Sequence, residues 1–387
     1  MSDSMVTGGL GGDGLADLFR RPGSVSTAYV DVSPQTADPR RTAESQRRAL
    51  RNVLEEAGAP PADVDVILEI VEQPPGTGGP ASRFLAVREG AVEVDELIPG
   101  KPWAERIVGH GPVASVLPLL RHRPVDTSYL VVEVARSEGE IRLFRLAQVR
   151  PVVTRTIAGE TEHSRKVGIG GWSHKHFQLH AEEVWKRNES ELAAAIDDIV
   201  RENKVGLIVL AGDIRARQLL ADQLGPASSA ILSIVASHTR AEGASEEPLD
   251  DAIERGLASL IERNESDALD RLAMESAHVG GLAESGVGGV VHALQQGQVD
   301  TLIIAPDGLG ERTLLALGSE PWVAAAPEES LGAPELGVVP AVDALIRAAI
   351  LTDARVVVVA DNRLPERIFV AALLRWPTGP AGASGTG

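Results

Sequence analysis

Cysteine is absent from the 387 residues, which excludes disulfides, thiolate metal sites and a cysteine nucleophile. No uninterrupted apolar run is long enough to span a bilayer. The opening stretch MSDSMVTGGLGGDG lacks the basic-then-apolar layout of a secretion signal. The expected address is therefore the cytosol, with no membrane partner. Positive charge is also in short supply: 37 Lys and Arg against 55 Asp and Glu give a formal net charge of -18. Such a balance opposes indiscriminate binding to nucleic acid. No phosphate-loop lysine motif, nucleophile elbow or paired-His metalloprotease motif occurs.

What is present reads as an ordinary folded chain, 43% hydrophobic and 24% charged, with length for two or three domains. Its positive residues are not spread evenly. They concentrate between Arg40 and Arg51 and between Arg142 and Arg187. Screening confines the acidic remainder to about 8 Å, so a local basic patch can still meet RNA.

The second cluster surrounds the most distinctive stretch, HSRKVGIGGWSHKHFQLHAEEVWKRN from His163 to Asn188. Arg165 and Lys166 lead into Gly168, Gly170 and Gly171, then Trp172. Glycines at this density allow positive φ and close backbone approach to a ligand. Ser173 is placed to cap a following helix. Phe177, Ala181, Val184, Trp185, Leu192 and Ile196 recur at helical spacing, with Glu182/Lys186 and Glu183/Arg187 spaced i,i+4 on the wet side. A basic, glycine-tipped loop thus stands on a stiff helix. Trp172 has two readings: an aromatic plane that stacks on unpaired bases with Arg165 and His174, or an anchor folding the loop onto its own domain. His174, His176 and His180 lie close together, but no third ligand or flanking glutamate completes a zinc site, so no metal or other cofactor is expected.

Taken in order, the chain predicts a disordered tail over residues 1–14, a strand over Ser26–Val32 and a helix over Thr42–Ala57. Arg47, Arg48 and Arg51 lie largely outward on that helix, as a solvated face or as RNA contacts. Val64–Val71 and Ser82–Val94 read as strands, and Pro99–Pro124 as irregular with a short helix around Val113–Leu120. A second block opens with a hairpin, Tyr129–Ala135 and Ile141–Leu146. After the glycine loop and its helix come a buried strand Val205–Ala211, a helix Ile214–Leu224, a buried strand Ile231–Val235 and a long helix from Leu249 to Met274. Asp213 is read as a helix cap in preference to a catalytic carboxylate, and Asp307-Gly308 as a strand-ending turn. A third block has a helix over Val290–Leu294, a strand Val299–Ala305, a helix Pro340–Ile350 and strands Arg355–Ala360 and Ile368–Arg375. The fold class is α/β: an α+β N-terminal domain (15–124), a middle domain with the Gly-Gly-Trp loop (125–277), an α/β C-terminal domain (278–376), the last two as α/β sandwiches, and a disordered tail (377–387).

This order of segments resembles the archaeal and eukaryotic class-one peptide release factors, their ribosome-rescue relative Pelota, and the bacterial homologues of both. The residues that carry the likeness are Gly170-Gly171-Trp172-Ser173 with His176-Phe177, the strand Leu207 to Gly212, the segment Val290 to Ile304, and the closing Ala371 to Trp376. The resemblance implies a release-factor-like multidomain architecture shaped for the ribosomal A site. In release factors the loop ends in Gly-Gly-Gln, whose amide positions water at the peptidyl-tRNA ester; here Trp172 holds that position. The family's Asn-Ile-Lys-Ser element and its cysteine-containing stop-codon motif are also missing. The chain looks most similar to the Balon-like bacterial branch, especially its actinobacterial members. What that implies is ribosome hibernation in stress: a non-catalytic factor on the 70S ribosome, contacting 16S and 23S rRNA through Arg165, Lys166, Gly168, Gly170, Gly171, Trp172, Ser173, His174, Lys175, Arg47, Arg48 and Arg51. EF-Tu is the implied partner of the C-terminal domain, through residues Gln295–Asp307 or the last strand. The alternatives are a Pelota-like rescue factor, and a peptidyl-tRNA hydrolase or nuclease using His174 or Gln178.

Overall fold

A computed structural model describes residues 12–33, 39–75, 80–103, 106–122, 128–135, 138–145, 151–158, 190–235, 247–278, 280–365 and 367–377. The chain forms two units, one built from residues 1–125 and 263–387, the other chiefly from 126–146 and 150–262.

The first unit begins with helix α1 (Gly12–Arg20), which was not foreseen and whose first three residues fall in the stretch expected to be a disordered tail. Its Leu15, Ala16, Leu18 and Phe19 are all buried, and that burial orders the helix in spite of its glycines. Strand β1 (Val25–Asp31) follows, then α2 (Pro39–Glu56) and α3 (Pro61–Val71). The strand expected over Val64–Val71 is this helix. Pro60-Pro61 places a proline at the first helical position, and Val64, Ile67 and Leu68 are buried at i, i+3, i+4 spacing. The β-branched composition pointed the wrong way because the spacing decides which face is covered.

The expected strand Ser82–Val94 is two strands, β2 (Ala81–Arg88) and β3 (Ala91–Pro99), reversing at Glu89-Gly90, whose φ values are 52° and 76°. Two consecutive positive φ angles suit a two-residue hairpin. Strand β4 (Arg106–Gly111), unforeseen in the irregular reading of this region, completes an antiparallel sheet of order β3-β2-β1-β4, and α4 (Leu117–His122) follows. β1 is buried on both faces. Ala28, Val30 and Val32 meet Leu50, Leu54, Val64 and Ile67 of α2 and α3, while Val25 and Tyr29 join Phe84, Ile98 and α1.

The C-terminal part of this unit has a sheet of order β10-β16-β11-β15, from β10 (Ala283–Ser285), β11 (Val299–Ile304), β15 (Arg355–Val358) and β16 (Val370–Leu374). β11 and β15 run parallel, and β16 is antiparallel to β10 and β11. A small antiparallel sheet, unforeseen, has order β13-β12-β14, from β12 (Thr313–Leu317), β13 (Val323–Ala324) and β14 (Glu335–Pro340). Helix α9 (Gly286–Gln295) and the nearly all-buried α11 (Ala341–Leu351) pack on these strands, and α10 (Pro306–Leu309) is one turn of helix where a simple turn was expected. One hydrophobic core runs from Leu15, Phe19, Tyr29 and Phe84 through to Val290, Leu302 and Leu345. The segments expected as separate first and third domains therefore bury apolar surface together.

The second unit carries a mixed five-stranded sheet, order β7-β6-β5-β8-β9, from β5 (Ser128–Val134), β6 (Glu138–Arg145), β7 (Val153–Ala158), β8 (Val205–Gly212) and β9 (Leu232–Ile234). β5, β8 and β9 are parallel; β6 and β7 add antiparallel strands. One face is covered by α5 (described over 190–202) and α6 (Ile214–Gln223), through Leu192, Ile196, Ala216 and Leu220. The other is covered by the first half of α8 (Glu247–Ser276), through Leu249, Leu257 and Leu260. α7 (Pro226–Ala230) links α6 to β9, an edge strand whose Ile234 is exposed where a buried strand was expected.

Candidate nucleic-acid interface

The glycine loop itself, with Arg165, Lys166, Gly168, Gly170, Gly171, Trp172, Ser173, His174 and Lys175, lies outside the described residues, as do His176, Gln178 and His180. The structure defines the two elements that carry it. Among the described residues β7 is an outermost strand of the second unit's sheet and pairs with β6 alone, placing Arg155 opposite Ile141. Residues 151–156 are exposed on both faces. On the far side, α5 is held by Leu192, Ala193, Ile196 and Ile199 in the core. Leu192 lies against Gly139, where an added Cβ would come within 2.6 Å of its side chain. Asp197 accepts from the Gly225 backbone N–H at 3.0 Å and from the Ser228 hydroxyl at 2.5 Å, so α5 also caps the start of α7. The described elements on either side of segment 159–189 are thus an exposed edge strand and a firmly packed helix.

Nearby charge is already matched. Arg142 donates to Glu133 at 2.5 Å and lies 3.8 Å from Glu140. Asp213 caps α6, accepting from the Arg215 and Ala216 N–H groups at 2.9 and 3.2 Å, which is the cap reading of this residue. Arg217, one turn further, is 5% exposed, and its Nε and Nη1 have no hydrogen-bond partner among the described residues. A buried guanidinium was not legible here, because burial is set by the tertiary fold and leaves no local pattern.

In the first unit, α2 presents Arg47 and Arg51 toward α3. Arg47 pairs with Glu72, and Arg51 with Asp65 at 3.1 Å and with Glu55 at 3.8 Å. Arg48 is exposed. Two of the three arginines are thus engaged by carboxylates of the same helical layer, a contact that depends on Val64–Val71 being helical.

Two further clusters were not legible in the sequence. Ser26 donates to Asp63 at 2.6 Å, Asp63 accepts from the Gly90 N–H at 2.7 Å, and His110 Nδ1 lies 3.0 Å from the Ser26 hydroxyl. With its single proton given to the carboxylate, Ser26 accepts from the imidazole, the reverse of what a nucleophilic serine needs. Ser26 and Asp63 are fully buried, so this network fixes the β2–β3 turn to α3. The second cluster joins Tyr29, whose hydroxyl lies 2.6 Å from His122 Nδ1, to Trp103 and Arg121. Burial raises the Tyr29 hydroxyl above its ordinary pKa, keeping it protonated. No group of three or more potential ligands is arranged to hold a metal ion among the described residues.

Residues 128–278, which span the whole sheet of the second unit and the loop segment, match the model of the bacterial archaeo-eukaryotic release factor family 2. That stretch is similar to the bacterial archaeo-eukaryotic release factors. Beyond the matched span it is similar to protein Rv2629 of Mycobacterium tuberculosis strain H37Rv, 27% identical over 364 residues that cover 93% of this chain and 95% of the relative. Protein MT2704 of strain CDC 1551 gives the same figures. Among solved structures it aligns with the archaeal translation termination factor aRF1 at 14% identity, covering 95% and 99% of the two chains with a TM-score of 0.27. Archaeoglobus fulgidus Pelota aligns at 14% identity over 94% and 92%, with a TM-score of 0.34. The matched stretch carries Trp172 within Gly170-Gly171-Trp172-Ser173. No helix among the described residues is long and apolar enough to cross a membrane.

Proposed function

We propose that this release-factor homologue binds the 70S ribosome in its A site as a hibernation factor, reaching the decoding and peptidyl-transferase centres without releasing peptide. The observation that carries the reading is a release-factor family match over residues 128–278 whose loop tip holds Trp172. An indole offers one N–H donor and no acceptor, and it is bulkier than a glutamine amide. It cannot hold a hydrolytic water in place by accepting one of its protons. The protein on this reading is a non-enzymatic adaptor. Arg165, Lys166, His174 and Lys175 meet 23S rRNA phosphates, Trp172 stacks on an unpaired base, and Arg48 on α2 meets 16S rRNA. EF-Tu docks on the C-terminal segment between Gln295 and Asp307.

Co-sedimentation with purified ribosomes at physiological salt tests the proposal. The expected result is binding that weakens about tenfold in Trp172→Ala, in line with the loss of one stacked base, and more in the double change Arg165→Ala, Lys166→Ala. Ribosomes loaded with peptidyl-tRNA should show no peptide release above background. Failure to sediment with ribosomes would end the reading. Release that disappears in His174→Ala would make the protein a hydrolase instead. Preference for stalled, mRNA-bearing ribosomes over vacant ones would make it a rescue factor.

A further inference from the structure

The strongest unassigned feature lies in the first unit, between β3 and β4. Trp103 leaves 45% of its surface exposed, although every side of its setting is fixed. Its indole N–H donates to the Pro118 carbonyl at 3.4 Å. The ring of fully buried Tyr29 lies 6.4 Å away at 31°. The guanidinium of Arg121 sits over the indole, 4.7 Å from its centroid, and is itself held by Asp307 at 2.8 Å. Two residues before the indole, Lys101 is exposed.

The chemistry left over at this surface is narrow. The indole's only hydrogen-bonding group is spent on Pro118, so the exposed part offers a π surface and nothing that reads a peptide backbone. The guanidinium lying over the indole adds a second, partly exposed layer to that surface. A rigid aromatic and guanidinium platform flanked by an exposed ammonium matches an unstacked nucleobase and its phosphate. From this geometry we infer that Trp103 and Arg121 form a stacking site for one base of single-stranded RNA, with Lys101 contacting the adjoining phosphate. The site is separate from the glycine loop, and it deepens the ribosome-binding reading by giving the first unit an RNA contact of its own.

The test uses the full chain and a fluorescein-labelled oligouridylate of ten nucleotides, followed by anisotropy, with inorganic polyphosphate as competitor. Trp103→Ala should weaken binding about tenfold, the scale of one stacked base, while Trp103→Phe keeps most of it. Lys101→Gln should lower the slope of log affinity against log salt by about 0.7, the contribution of one single-strand phosphate. Photocrosslinking with 4-thiouridine in the same oligonucleotide should map to residues 101–103 even when Trp172 is changed to Ala. The inference is overturned if Trp103→Ala, with an unchanged melting temperature, binds as wild type. It is also overturned if polyphosphate displaces all binding at equal charge and no crosslink reaches Trp103. Ribosome sedimentation run in parallel separates the two ideas. Sedimentation without a Trp103 crosslink removes only this site, and a crosslink without sedimentation removes only the ribosome reading.

Discussion

Asp343 sits on α11, 8% exposed, with Oδ1 lacking a hydrogen-bond partner among the described residues. Burial raises its carboxyl from the ordinary 3.8 to about 6, only partly offset by a hydrogen bond from Ser115. In the unfolded chain the same group ionises near its ordinary value. Between those two values the folded state therefore holds more protons, and stability falls as pH rises through the window and is level above it. Asp343→Asn keeps the size and can still accept from Ser115. Denaturant melts at pH 4 and pH 7.5 should show that this variant gains on the order of 2–3 kcal/mol at the higher pH and little at the lower. A wild-type stability that does not change across that range would contradict the assignment. Arg217 is the matching case on the basic side: its buried guanidinium has Nε and Nη1 without a hydrogen-bond partner among the described residues. Replacing a buried, poorly paired charge by an apolar side chain of similar length is often stabilising by about 1–4 kcal/mol. Arg217→Met should accordingly raise the denaturation midpoint of the second unit.

At the scale of elements, the junction of β8 and α6 is the least tolerant point of the second unit. Gly212 has φ +116°, and a Cβ there would lie 1.9 Å from the Val134 carbonyl oxygen. The nearest atoms are all Val134 backbone, so no flexible side chain can move aside. Gly212→Ala should cost at least about 3 kcal/mol, combining strain with the loss of the Asp213 N–H to Val134 bond, and circular dichroism should show it as lost folded signal at ambient temperature. Much of this unit was legible in advance. The hairpin of β5 and β6, the strand β8 and the helix α6 with its Asp213 cap all carry strong local signals: alternation, a continuous apolar run, and a side-chain acceptor before a helix. β7 was not foreseen, because its Val153, Thr154 and Arg155 are exposed on both faces, leaving no alternation to read. The helix α3 was misread for the opposite reason, since its Val and Ile content imitates a strand and only the i, i+3, i+4 burial reveals the helix.

At the scale of the whole molecule, Arg347 joins distant parts of the first unit. From α11 it donates to the Leu317 carbonyl at 2.9 Å, to Trp322 at 3.2 Å and to Phe19 on α1 at 3.4 Å. It is 2% exposed, and burial lowers it to about 10, still charged at neutral pH. Removing it takes a donor from the Leu317, Trp322 and Phe19 carbonyls, of which Trp322 still accepts from the Leu317 N–H, at a cost of roughly 2–3 kcal/mol. Hydrogen exchange in Arg347→Met should show amides of α1 and of the β12–β14 sheet losing protection together. Loss confined to one of them would show that the shared core does not couple the N-terminal and C-terminal segments.

Local spacing by itself determined the mixed α/β class, most helices, the parallel strands of the second unit and the basic character of the glycine loop. These follow from periodicity, caps and composition, which act over a few residues. Only the tertiary structure decided that α2's arginines face carboxylates, that Ser26 gives its proton to Asp63, that Trp103 stands exposed under Arg121, and that the first and last segments share one core. Each of those depends on residues tens to hundreds of positions apart being brought to contact distance, and burial and charge pairing are properties of that neighbourhood, which no local pattern encodes.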